Sequence, residues 1–164
     1  MPAELIDGRA IAKKVRADVA QRVIRLAERG IRPGLAVVLV GDDPASAIYT
    51  SAKSKAAEEA GMYSLNLRLP AHTSEDDLLS HVDALNTDPK IHGILVQMPL
   101  PKQINPDTVI RRIDPAKDVD GFHPVNVGKM LVGERDGFIP CTPAGIQVLL
   151  KESGVRTPGK NCVV

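Results

Sequence analysis

Aromatic residues are nearly missing from this chain: it has no tryptophan, and two tyrosines with two phenylalanines make up 2% of its 164 residues. Nucleic-acid binders depend on stacking rings or on clustered basic charge. Neither occurs, because 21 basic residues are balanced by 20 acidic ones, with no basic run and a net charge of +1. Long apolar runs are absent too, and the charged N-terminal stretch has no secretory apolar core, so neither a membrane span nor an export signal is expected. The cytoplasm is then the default compartment. Two cysteines, Cys141 and Cys162, cannot build a disulfide framework and lack metal-ligand spacing. His72, His81, His92 and His123 lack it as well, and no metal is expected.

What is present reads as alternating helix and strand. With 43% hydrophobic residues the chain can bury a core as one domain. Ile11, Val15, Val19, Val23 and Leu26 mark an amphipathic helix stopping at Gly30, and Leu35 to Val40 is an apolar run of strand length, covered on both faces. A turn through Gly41, Asp42, Asp43 and Pro44 leads into a helix over 45–60. Tyr63, Leu65, Leu67 and Leu69 then alternate with Ser64, Asn66 and Arg68 as a second strand. Ser74 and Asp77 form an N-cap pair for a helix carrying Leu78, Leu79, Val82 and Leu85. Ile91 to Met98 is a third strand ended by Pro99 and Pro101, and short helices begin at Asn105–Pro106 and at Thr142–Pro143. Asn161 to Val164 reads as the start of another strand. This order favours an α/β fold of three layers, α/β/α, with a mainly parallel sheet and a ligand crevice at the carboxyl ends of its strands.

Lys53 is the residue that asks for a function. On a helix over 45–60, Ala45, Ala52, Ala56 and Ala60 form a small-residue arc that also contains Tyr49 and Lys53, while Thr50, Ser51, Ser54, Lys55 and Glu58 take the other side. If the alanine arc packs against protein, the ammonium of Lys53 loses hydration there and its proton becomes easier to move. Asp42 and Asp43 follow one strand, Gln97 ends another, and Asp118 and Asp120 lie in the turn-rich loop Lys117 to Pro124, of a kind that often carries function. Taken singly, each has a plain reading: a snorkelling lysine, a strand-end amide, an Asp-Gly turn.

Together these residues resemble a family. Ser46, Tyr49 and Lys53 on one helix, Gly93 to Gln97 running into Met98-Pro99-Leu100-Pro101, the stretch Lys117 to Pro124, and Pro140-Cys141-Thr142-Pro143 are similar, in order and over nearly the whole chain, to the bifunctional methylenetetrahydrofolate dehydrogenases/methenyltetrahydrofolate cyclohydrolases. The resemblance implies one-carbon folate metabolism: oxidation of 5,10-methylenetetrahydrofolate with NADP, then hydrolysis of the methenyl product to 10-formyltetrahydrofolate. It implies that Lys53 activates water, Tyr49 orients it and meets the aminobenzoyl ring, and Gln97 holds Lys53 or the water. Asp120 anchors the pterin, Ser46 supports the lysine, Pro99 contacts substrate, and Cys141 and Thr142 lie near the cofactor. It also implies a homodimer for the longer enzyme.

In that family a Rossmann-type NADP domain follows. Here no two glycines are separated by a single residue, so the glycine-rich phosphate cradle is missing. Residues 1–160 are therefore expected to form the catalytic, folate-binding domain and 161–164 to open the first strand of a truncated nucleotide domain. The chain alone is expected to be a monomer without dehydrogenase activity. Of three alternatives, the first is discounted for want of its glycine-rich turn and two stay open. Tyr49 and Lys53 have the Tyr-x-x-x-Lys spacing of short-chain dehydrogenases, though Gly41-Asp42-Asp43-Pro44 stands where their glycine-rich turn belongs. Lys53 could serve as a Schiff-base nucleophile toward a small aldehyde, or the chain could be a non-catalytic folate-binding or interaction module.

Overall fold

The computed structural model describes residues 5–163. Helix α1 (Gly8–Ala27) is capped by Asp7, strand β1 (Gly34–Val40) follows, and α2 (Pro44–Glu59) starts from Asp43 with proline in its first turn. Strand β2 (Tyr63–Leu69), α3 (Glu75–Thr87), β3 (Gly93–Val96) and α4 (Pro106–Arg112) complete the central part. The expected cap of α3 is formed: Ser74 Oγ accepts the Asp77 N–H at 3.1 Å and donates to Asp77 Oδ2 at 2.7 Å. Two further helices, α5 (Pro124–Val132) and α6 (Cys141–Glu152), end the described chain.

The three strands are parallel in the order β2-β1-β3, the arrangement expected of βαβ units. Strand periodicity then sorts the side chains. Ala36, Val38, Val40, Ile94 and Val96 point to one face, where they pack with Leu78, Val82 and Leu85 of α3 and Val109 of α4. Helix α2 lies across the other face, over β1 and β2. The layers are therefore α3/α4, sheet and α2, as the alternation implied.

Four expectations need correction. The face of α2 that meets the sheet is Ser46, Thr50, Ser54 and Ala57, all buried, whereas Ala45 and Ala52 are exposed. The reason is that β2 presents a polar side to α2, with Asn66 and Arg68 themselves exposed: Asn66 Nδ2 donates to Ser54 Oγ at 3.2 Å and Arg68 donates to Ser51 Oγ at 3.1 Å. Hydroxyls that satisfy a polar strand face can be buried without penalty, so hydrophobicity alone assigned the wrong side. The third strand is shorter than expected because only Gly93–Val96 pair with β1, opposite Leu35–Val38. Helix α5 was not expected at all, although its signals are present: His123 caps it, Pro124 occupies the first turn, and Gly133 ends it at φ 83°. Residues 161–163 form no strand, having no ladder partner, and Val164 lies outside the described residues.

Candidate active site

Because α2 covers β1 and β2, the same face of β3 is left open. Gly93 and Leu95 floor a cavity of about 780 Å³ there, with Tyr49, Lys53 and Ala56 of α2 as one wall and Val119, Asp120, Phe138 and Cys141 opposite. The cavity runs along the flank of the sheet toward Gly34 and Met62, at the amino ends of the strands, and is not confined to their carboxyl ends. Its lining is mainly apolar with a few polar groups, the usual make-up of a small-molecule site.

Lys53 is half-buried, and its Nζ donates to Gln97 Oε1 at 3.0 Å. Gln97 is itself oriented, since its Nε2 donates to the carbonyl of Met98 at 2.8 Å and its backbone N–H to Val38 at 2.8 Å. The amide oxygen therefore has a fixed direction, toward the ammonium. Tyr49, one turn before Lys53 on the same stripe, is 65% exposed at the rim. Lys53 thus faces a cavity, where the sequence had suggested packed protein.

Asp120 is half-buried on the opposite wall, and burial pushes its carboxyl above the ordinary value; the ammonium of Lys53 opposes the shift and the carboxylate of Asp118 adds to it. Cys141 is exposed overall, with Sγ donating to the Val119 carbonyl at 3.3 Å. Burial of the sulfur, then the Asp120 carboxylate, push its pKa up, against the opposing pull of the Lys53 ammonium. Thr142 lines the same mouth.

Ser46 and Pro99 do not line this cavity. Ser46 is buried against the sheet in the first turn of α2, where its N–H meets Asp43 Oδ2 at 2.7 Å, and Pro99 is exposed beyond β3. Asp42 is exposed. Asp43 caps α2, its carboxyl held below the ordinary range by the Ser46 backbone N–H and then by the Ser46 hydroxyl. That carboxylate stands where a doubly wound nucleotide fold places pyrophosphate, at the helix following the first strand. The described residues therefore do not fit a dinucleotide there, and the short-chain-dehydrogenase reading loses its phosphate site. The residues missed from sequence are Phe138, which closes the cavity, and Asn126, buried behind it. Both lie outside the recognised motifs. Among the described residues no group of three or more His, Cys, Asp or Glu side chains is placed to hold a metal ion.

Comparison with known proteins agrees with this architecture. The family model described as tetrahydrofolate dehydrogenase/cyclohydrolase, catalytic domain, matches residues 6–120. The chain is 57% identical over 164 residues to the bifunctional protein FolD of Halalkalibacterium halodurans, covering 100% of this chain and 58% of that protein. Against the bifunctional protein FolD of Moorella thermoacetica the identity is 55%, with 100% and 58% covered. Among solved structures, the bifunctional FolD methylenetetrahydrofolate dehydrogenase/cyclohydrolase of Campylobacter jejuni superposes with a TM-score of 0.90 at 44% identity, over 93% of this chain and 54% of that one. The Trypanosoma brucei N5,N10-methylenetetrahydrofolate dehydrogenase-cyclohydrolase, complexed with NADP and an inhibitor, gives 0.93 at 38% identity, over 98% and 55%. The chain spans 58% of the length of those two sequence relatives. It belongs to the tetrahydrofolate dehydrogenase/cyclohydrolase family, whose catalytic-domain pattern runs through residues 6–120.

Proposed function

We propose that the cavity beside α2 binds a reduced folate and that Lys53 works on its one-carbon bridge. The observation that carries this reading is the 3.0 Å bond from Lys53 Nζ to Gln97 Oε1 on the wall facing Asp120, in a chain of this family. The apolar floor suits a pteridine and an aminobenzoyl ring, with Tyr49 at the rim where the ring would lie. Asp120 accepts hydrogen bonds from the amino-pyrimidine edge, which a carboxylate matches with its two oxygens.

The hydrolytic step follows from these placements. With Lys53 in its neutral form, water adds to the methenyl carbon as the amine takes its proton, the bond from that carbon to N5 breaks, and the proton taken by Lys53 passes to N5. The formyl group remains on N10, and the positive charge of the methenyl cation leaves as a proton. Gln97 keeps the amine directed at the bridge throughout. Oxidation of the methylene form needs a nicotinamide to accept hydride. We assign the NADP site to a nucleotide domain beyond residue 160, with 161–164 as its lead-in, in a longer cytoplasmic homodimer. Cys141 and Thr142 would border that cofactor.

Replacing Lys53 by Met keeps the stem and removes the amine. Hydrolysis of methenyltetrahydrofolate is expected to collapse while folate binding survives, and unchanged hydrolysis refutes the assignment. Borohydride with candidate aldehydes should leave no stable adduct at Lys53, in contrast to a Schiff-base enzyme. Tight folate binding without turnover of methenyltetrahydrofolate in the longer protein would point to a binding module instead.

A further inference from the structure

Asp120 stands on the cavity wall in the loop between α4 and α5, and the backbone that carries it decides where its carboxylate can reach. That backbone is held from behind by two polar side chains that are each only 2% exposed, Asp118 and Asn126. Asp118 Oδ2 accepts the His123 N–H at 2.8 Å and Asn126 Nδ2 at 2.9 Å. Asn126 Nδ2 also donates to the Pro115 carbonyl at 3.0 Å, and its Oδ1 accepts the Phe138 N–H at 3.3 Å. Both amide protons and the amide oxygen are thus engaged, which ties together the start of the loop, its end and the segment that closes the cavity.

Two close approaches tighten the frame. The Ile94 N–H donates to the Lys117 carbonyl at 2.7 Å, fixing the loop to β3, and a Cβ at Gly93 would lie 2.5 Å from Val119 Cγ1. On the other side of Asp120, Gly121 has φ +70°, and a Cβ there would meet the Ile139 backbone at 2.7 Å. No side chain fits at that crossing, so the 138–140 segment rests directly on the loop. The backbone on either side of Asp120 is thereby held in place.

We propose that Asp118 and Asn126 are positioning residues for Asp120: a buried carboxylate-amide clamp that aims the Asp120 carboxylate into the cavity opposite Lys53. The inference deepens the folate-site reading and rests on it. A pair that served the fold alone would cost stability without acting through Asp120, and a double-mutant cycle separates the two.

The probe is 5-formyltetrahydrofolate, a stable reduced folate, bound to the intact protein by calorimetry, with thermal unfolding as a check on folding. Asn126→Ala is expected to weaken binding about ten-fold when Asp120 is present, and by less than about two-fold in an Asp120→Ala background. In hydrolysis of methenyltetrahydrofolate the loss should fall on KM more than on kcat. Should Asn126→Ala fail to fold, Asp118→Asn keeps the side-chain volume, weakens the charge-assisted acceptor and is taken through the same cycle with the same expectation. Equal losses in both backgrounds, no loss at all, or a loss confined to kcat overturns the clamp while leaving the folate site standing. If Asp120→Ala alone leaves affinity unchanged, the site reading falls and the clamp with it.

Discussion

The two faces of the sheet are made of different material. Against α3 and α4 the contact is wholly apolar, and Ile94, Leu78, Val82 and Val109 have no exposed surface at all. Against α2 it is mixed: Val37 and Leu39 of β1 and Ala57 of α2 are buried there beside the hydroxyl residues Thr50 and Ser54, and Asn66 is bonded to Ser54. Apolar contact is non-directional and fills the available space, so the first face closes. Hydrogen bonds are directional, and those on the second face fix the rotation of α2 about its own axis. That rotation turns the stripe of Tyr49, Lys53 and Ala56 away from β1 and β2, toward the cavity beside β3.

If the faces divide stability from chemistry in this way, mutations on them should separate cleanly. Lys53→Met is expected to lower hydrolysis by roughly 10²- to 10⁴-fold with little change in unfolding temperature, measured by steady-state assay and calorimetry. Leu78→Ala, on the closed face, should cost about 2–5 kcal/mol in denaturant unfolding and leave folate affinity near that of the parent under native conditions. A large loss of affinity from Leu78→Ala would break the comparison.

Asp120 sharpens it on the open face. Asp120→Ala should weaken folate binding and leave kcat at saturating folate largely intact. Because burial raises the carboxyl above its ordinary value of 3.8, the carboxylate needed for the pteridine is lost, as pH falls, earlier than for a common aspartate. Folate affinity is therefore expected to drop on acidification with a midpoint above 3.8, and Asp120→Asn should abolish the dependence. The stability linkage has the opposite direction. A raised carboxyl favours the folded state when protonated, so its contribution is full below the unfolded pKa and is lost as pH rises through the folded one.

The smallest effects test the polar packing. Ser54→Ala removes the partner of Asn66 and should cost about 1 kcal/mol in unfolding free energy. The Ser64 hydroxyl is shielded and has no partner among the described residues, so Ser64→Ala should change stability by less than about 0.5 kcal/mol, or raise it slightly.

The alternation of apolar runs and helical spacing was enough to place the three strands and most of the helices in order, because burial on both faces of a parallel sheet leaves a plain signal in β1 and β3. The rotation of α2 was not legible. Which side of Ser, Thr and Ala residues faces a sheet depends on the partner strand, and Asn66 and Arg68 gave no sign in advance that they reach the hydroxyls of α2. Of the residues singled out from motifs, Tyr49, Lys53, Asp120, Cys141 and Thr142 line one cavity, and Gln97, though not on its wall, is bonded to Lys53. Asn126 was invisible because its role is made by contacts with Pro115, Asp118 and Phe138, which only the fold brings together.

A structure of this protein with a reduced folate bound tests the central claim most directly. The account predicts the pteridine's amino edge within hydrogen-bonding distance of the Asp120 carboxylate, and the Lys53 nitrogen, still bonded to Gln97, beside the one-carbon bridge. A folate seated elsewhere, for example in the polar cleft lined by Arg32, Lys90 and His92, or a Lys53 amine turned away from the ligand, would contradict it.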